Sequence, residues 1–172
     1  MKNTNSDKRS SPFWFMNKFA NPFVGLILSS HMHKWLSPSI VLITYQGRKS
    51  GKKYTLPVQY VQSDDTLYII PGAARQKNWW RNLRGGEPVE LLLGGHHIQA
   101  FAEVLAGEAD CGVIAEALRV FILKFPAAAQ LHSIHPHADG SVDERDLLEA
   151  SASVVVVRVR LKESMVPSVK VR

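Results

Sequence analysis

From residue 40 onward the chain alternates short apolar runs with tight polar breaks. Residues 40–45 read Ile-Val-Leu-Ile-Thr-Tyr, the β-branched and aromatic mixture that fits a pleated, half-buried strand. A polar stretch follows, and then residues 54–62. There Tyr54, Leu56, Val58 and Tyr60 share one strand face, and Thr55, Pro57, Gln59 and Val61 the other. Pro57 cannot donate to a ladder, so this strand is expected at a sheet edge or bulged, where a ligand can approach the backbone. Asp64-Asp65 predicts a turn, with residues 67–70 pairing back across it. Residues 89–93 and 98–104 predict a hairpin closed by Gly94-Gly95, a diglycine suited to a tight primed turn. Residues 153–161 carry an unbroken Val154 to Val157 run and then alternate, which predicts a central or barrel strand.

Helical spacing appears over residues 110–125. Val113, Ile114, Ala117, Leu118, Phe121, Ile122 and Phe125 fall on one stripe, and Pro126 ends it. Residues 12–36 read as two short helices around Asn21-Pro22, with Asn21 as cap and the proline in the first turn. Asn78 is placed to cap a further helix from Trp79, which Gly85-Gly86 would stop. Residues 126–140 read as a loop holding His132, His135 and His137. The expected organisation is a disordered start over residues 1–11, a single domain over 12–164 and a basic tail over 165–172. Six strands with few strand–helix–strand alternations predict an antiparallel barrel with inserted helices, not a doubly wound sheet.

Length and charge narrow the function. The 172 residues, 45% hydrophobic, suffice for one domain with a real core. A net charge of +6 points to an anionic partner: nucleic acid, a membrane surface or a phosphorylated cofactor. The single Cys111 excludes an internal disulfide and, on an apolar helix, is expected to be an inert buried thiol. No stretch approaches the roughly 20 apolar residues needed to span a bilayer, so a cytoplasmic protein is expected. Residues 12–36 mix Phe13, Trp14, Phe15 and Phe23 with Lys18 and Lys34, which would also suit peripheral membrane contact. Packing on the chain's own domain is the commoner use of such segments.

The chemistry concentrates between residues 47 and 83. Gly47-Arg48-Lys49-Ser50-Gly51-Lys52-Lys53 puts four cations and a hydroxyl in one glycine-bracketed loop between strands. That mixture suits a phosphate or several carboxylates, although solvated hairpin tips have similar composition. Trp79 and Trp80 are adjacent on a helix, so one can anchor the core while the other faces a cleft. A conjugated ring on that cleft, with its phosphates in the loop, accounts for both features. Single-stranded nucleic acid is the rival, disfavoured because the cations sit in one loop and not along a groove. The three histidines match no standard zinc spacing, and no metal site is expected. No serine elbow, P-loop or dinucleotide fingerprint is present.

Gly47-Arg48-Lys49-Ser50-Gly51, then Pro57-Val58, then Asn78-Trp79-Trp80-Arg81-Asn82-Leu83 resemble the deazaflavin (coenzyme F420)-dependent nitroreductase family. These are split β-barrel oxidoreductases related to FMN-binding pyridoxamine-phosphate oxidases. The resemblance covers residues 21–104 well and 153–161 loosely. It implies a six-stranded split barrel with peripheral helices, and a 5-deazaflavin cofactor with a phosphodiester and oligoglutamate tail. By position, Arg48, Lys49 and Ser50 would hold that tail. Leu56, Pro57 and Val58 would line the ring through their backbone. Gly72 and Ala73 would approach the ring or its ribityl chain. Trp79 would border both cofactor and substrate, with Gln59 and Trp80 in the substrate cleft. The implied reaction is hydride transfer to an electron-poor small molecule such as a quinone, enone or nitro compound. Nitroimidazole-reducing relatives carry tyrosines where this chain reads Phe125-Pro126-Ala127-Ala128-Ala129-Gln130-Leu131-His132. Water is then the default proton donor, with His132 and His135 as weaker candidates. An FMN-binding reductase and a non-catalytic cofactor or lipophilic-ligand binder stand as alternatives. A homodimer is expected only by analogy with relatives of this type.

Overall fold

The structure is a computed structural model that describes residues 38–162. Seven strands form one antiparallel sheet: β1 (Ile40–Gln46), β2 (Lys53–Gln59), β3 (Val61–Ser63), β4 (Thr66–Ile69), β5 (Glu87–Leu93), β6 (His96–Leu105) and β7 (Val156–Leu161). Their order is β2-β1-β5-β6-β7-β4-β3. The strands β2 and β3 therefore lie at opposite edges, although Tyr60 alone separates them in the chain. A flat sheet of seven strands would hold its outer strands roughly 29 Å apart. Two peptide steps across Tyr60 reach less than about 8 Å. The sheet must curl until its edges meet at that residue, and the result is a mainly β half-barrel.

The sequence pattern predicts six strands; the described residues form seven, because residues 54–62 do not form one strand. Their apolar alternation runs through Tyr60 without a break, so periodicity cannot mark the corner. What changes there is the partner: Lys53–Gln59 pairs with β1 and Val61–Ser63 with β4.

Pro57 sits on an edge strand, as its missing donor predicts. The phase of the ladder sharpens this. The Gly47 N–H donates to the Lys52 carbonyl at 2.9 Å, with Gln46 opposite Lys53. By antiparallel alternation, the pairs that exchange hydrogen bonds are then Tyr45–Tyr54, Ile43–Leu56 and Val41–Val58. Thr55, Pro57 and Gln59 turn their backbone polar groups away from β1, toward the open edge. Pro57 costs no ladder bond there. The same phase frees Leu42 and Thr44 to bond β5 opposite Leu92 and Glu90.

The inner core holds Val41, Ile43, Leu67, Ile69, Leu91, Val157 and Val159, with Trp80 and Leu83 packed into it. Among the described residues three helices form an outer layer: α1 (Cys111–Lys124), α2 (Ala128–Leu131) and α3 (Glu144–Ser151). Ile114, Leu118, Ile122 and Leu147 bury a second cluster against Leu105 and Val156. The expected α1 stripe is buried except at its margins, where Val113 is exposed and Phe125 half-buried. Cys111 is half-exposed in the first turn, not buried as expected. The helix α2 interrupts the loop expected over residues 126–140, and α3 follows it where no element was expected. Both are short, and α3 has only Leu147, Ala150 and Ser151 buried, too few positions for a visible period.

The diglycine hairpin is as expected, with Gly94 and Gly95 both at positive φ and residues 93 and 96 paired. The Asp64-Asp65 turn likewise joins β3 to β4. The strand β7 is central, paired with β4 and β6. The helix expected from Trp79 is a five-residue 3₁₀ segment, Trp79–Leu83, and Asn78 makes no side-chain cap. The helices expected over 12–36, the start over 1–11 and the tail over 165–172 lie outside the described residues. Among the described residues no helix is long and apolar enough to cross a membrane.

Candidate functional site

The tip between β1 and β2 is a tightly bonded turn. The Gly51 N–H donates to the Gly47 carbonyl at 2.8 Å, and Gln46 Nε2 to the Gly51 carbonyl at 2.9 Å. The Lys52 N–H donates to Ser50 Oγ at 3.3 Å, and Ser50 Oγ lies 3.1 Å from Tyr54 Oη. A Cβ on Gly47 would stand 2.7 Å from both Ser50 Oγ and the Tyr54 ring. Glycine at 47 therefore lets that ring lie against the tip. Tyr54 stacks on Tyr45 at 5.7 Å between centroids, and Tyr45 meets Trp79 at 6.3 Å. Burial, followed by the neighbouring Tyr54, pushes the Tyr45 phenol above its ordinary range, so it stays neutral.

Arg48 is not a free cation of the tip. Its N–H donates to Asn82 Oδ1 at 3.1 Å. Its guanidinium donates to the Arg84 carbonyl and pairs with Glu87 at 3.1 Å. This half-exposed ion pair is worth at most about 1 kcal/mol, but the set of bonds turns Arg48 into a strut. Lys49, Lys52 and Lys53 are exposed and form no ion pair among the described residues. The cationic surface of the tip is theirs.

Beside the tip runs the open edge. Leu56 and Val58 are half-buried against the inner core, as is Trp79. Pro57 is half-buried on the opposite face, and Gln59 is exposed at the strand end. The tryptophans divide as their spacing predicts, with Trp80 only 4% exposed and Trp79 half-buried. Trp80 Nε1 donates to the Ala74 carbonyl at 3.0 Å, while Arg81 and Arg84 lie over its ring. Trp80 thus anchors the core. Gly72 and Ala73 form an exposed turn just before Ala74, with Ala73 at φ +53°. No atom lies within 4 Å of a Cβ built on Gly72, which leaves open space beside it.

The structure joins the tip, the edge strand and Trp79, while the two histidines follow α2. His132 follows α2 and donates its N–H to the Ala129 carbonyl at 3.0 Å. It and the exposed His135 flank Ile134, which belongs to the outer helical cluster. His137 pairs with Asp143 at 3.2 Å, and that carboxylate raises its imidazole above the ordinary value. No group of three or more metal-ligating side chains is assembled among the described residues.

Burial lowers the His132 imidazole below its usual 6.5. The folded state therefore resists protonation there more than the unfolded chain does. Its contribution to stability is full above about pH 6.5 and declines on acidification through the folded value. His132→Gln is expected to flatten the acid side of the stability profile between pH 7 and 5, read by urea titration at each pH. An unchanged profile would contradict a titrating, half-buried His132.

Sequence reasoning missed Asn82, Glu87, Tyr45 and Tyr54. Tyr45 and Tyr54 stand opposite each other in the hairpin. Pairing the two runs symmetrically about the glycine loop would have found them. Asn82 and Glu87 act across more than 30 residues, and no local signal carries that.

A family model described as F420H(2)-dependent quinone reductase matches residues 29–117, just over half of the chain. Among solved structures, one described as a domain-swapped dimer matches at 19% identity and a TM-score of 0.50. It covers 87% of this chain and all of its own. An F420-H2 dependent reductase (FDR-A) matches at 20% identity and a TM-score of 0.49, over 71% of this chain and 94% of that one. Atu2129 from Agrobacterium tumefaciens str. C58, of unknown function, matches at 12% identity and a TM-score of 0.43, over 83% and 61%. No curated protein matches at the level of sequence.

Proposed function

The chain belongs to the F420H(2)-dependent quinone reductase family, and from that premise we propose that it passes a hydride from the reduced cofactor to a quinone, with enones and nitro compounds as further acceptors. It is a deazaflavin-dependent oxidoreductase, and coenzyme F420 is its cofactor. The curled sheet is read as the split β-barrel of the flavin and deazaflavin oxidoreductases.

The observation that carries the reading is the set of three exposed lysines at the tip, without an ion-pair partner among the described residues, beside an open strand edge and a half-buried tryptophan. The residues fit the cofactor. Lys49, Lys52 and Lys53 would hold the anionic tail, and the Ser50 hydroxyl would offer a hydrogen bond to its phosphate. When bound, the deazaflavin supplies the hydride. Thr55 and Gln59 direct backbone N–H groups to the open edge, where they would favour negative charge on a ring lying along it. Leu56 and Val58 give that ring an apolar floor and keep water from one side. Gly72 and Ala73 leave room beside it, and Trp79 borders the acceptor, with Gln59 at the strand end. Water is the proton donor in this reading, with His132 and His135 of the helical layer as weaker candidates.

A homodimer is proposed on narrower ground, the description of one similar structure as a domain-swapped dimer.

The test is oxidation of reduced F420, followed by its absorbance, with a quinone, an enone and a nitroaromatic as acceptors. Turnover is expected with the quinone at the highest kcat/KM. Oxidation with none of the three, or binding of FMN and not of F420, would overturn the reading.

A further inference from the structure

The two parts of the site come from different stretches of chain, the tip over residues 47–53 and the segment over residues 79–87. Hydride transfer depends on their separation. If the tail is fixed at the lysines and the acceptor at Trp79, the distance between them sets where the ring lies.

One side chain bonds both. Asn82 Oδ1 accepts the Arg48 N–H at 3.1 Å, and Asn82 Nδ2 donates to the Trp79 carbonyl at 2.9 Å. The amide can face only one way. Turned over, its NH₂ would meet the Arg48 N–H and its oxygen the Trp79 carbonyl, and both contacts would repel. Asn82 is half-buried and sits within the same 3₁₀ segment as Trp79, so it has little freedom to drift. The Arg48 guanidinium adds the Arg84 carbonyl and Glu87 as further attachments, but neither of those reaches Trp79.

We propose that Asn82 is a positioning residue that sets the spacing between the lysine tip and Trp79 for the deazaflavin reaction. This rests on the cofactor lying as described above. Asn82 itself touches neither cofactor nor substrate. It carries no charge, so its removal leaves the electrostatics of the tip intact and acts only through geometry. A displacement of about 1 Å at the reacting atoms costs on the order of a hundredfold in rate.

The experiment compares the parent with Asn82→Ala and Asn82→Asp, reading F420 binding by fluorescence titration and kcat and KM with a quinone. Asn82→Ala loses both bonds. It is expected to raise the F420 dissociation constant about fivefold and to lower kcat by ten- to a hundredfold. Asn82→Asp keeps the acceptor for the Arg48 N–H but loses the donor to Trp79. It is expected to hold F420 within about threefold of the parent at 0.15 M salt, where exposed charges are partly screened, while kcat still falls at least tenfold. A lone structural role would lower the melting temperature without splitting affinity from kcat in this way. If Asn82→Ala does not fold, the aspartate variant decides alone. Parental kcat in a folded Asn82→Asp protein overturns the proposal. Failure of the parent itself to bind F420 would instead sink the reading of the site on which the proposal rests.

Discussion

Replacing Lys49, Lys52 and Lys53 together by alanine is expected to weaken F420 binding by roughly thirty- to a hundredfold at low salt. Unit charges about 4 Å apart in water attract by about 1 kcal/mol. Three such contacts give on the order of 2–3 kcal/mol, and every 1.4 kcal/mol is about tenfold in affinity. Each lysine is exposed and has no acidic partner among the described residues. Parental affinity should fall as salt rises, since these charges face solvent. The triple variant should show a much flatter dependence. Arg48 contrasts with them because Glu87 already offsets its charge. Fluorescence titration of F420 at 0.05 and 0.5 M salt reads both quantities. An unchanged dissociation constant at low salt would contradict the assignment of the tip.

Tyr60→Ala is expected to lower folding stability by about 3–5 kcal/mol, the range for emptying a buried aromatic site. The ring is 6% exposed and belongs to the inner core. The Tyr60 N–H donates to the Ser39 carbonyl at 3.2 Å, which ties the corner to the start of β1. From the other side, Lys124 of α1 places its Nζ 4.8 Å from the ring centroid and 3.3 Å from the Tyr60 carbonyl. It also donates to the Pro38 carbonyl. Desolvation lowers the Lys124 amine below its ordinary range, in keeping with a lysine laid along protein surface. The corner is therefore held by core, backbone and helix at once. A loss of that size is a large share of the 5–15 kcal/mol typical of a whole domain. It should lower the melting temperature by roughly 10 °C. Tyr60→Phe keeps the ring and should stay within about 1.5 kcal/mol of the parent. A Tyr60→Ala loss below about 1 kcal/mol, measured by urea unfolding, would show that the sheet does not close through this residue.

Much of this was legible because it is local. The hairpin at Gly94-Gly95, the turn at Asp64-Asp65, the α1 stripe and the edge placement of Pro57 each follow from a few neighbouring residues. The adjacency of Trp79 and Trp80 predicts that they differ in burial, but not which of the two is buried. The corner at Tyr60 was hidden because the same alternation serves both partners, and only the sheet order reveals the change. The helix α3 was hidden because eight residues with three buried positions give no period. The pairing of Arg48 was hidden for a related reason. A cation in a glycine loop reads as available until the glutamate that takes it, 39 residues away, is folded beside it. The expected cap at Asn78 failed because the segment winds as a 3₁₀ turn. It is Asn82, four residues on, that reaches out of the motif to bond the tip.

The central claim is that the lysine tip holds the acidic tail while the open edge of β2 takes the ring. Its most direct test is to titrate the protein with F420 and with the same deazaflavin chromophore lacking the phosphate and glutamate tail, at low salt. The tailless compound should bind at least thirtyfold more weakly, with an affinity that salt and the triple lysine replacement leave unchanged. Equal affinity for the two compounds would contradict the claim.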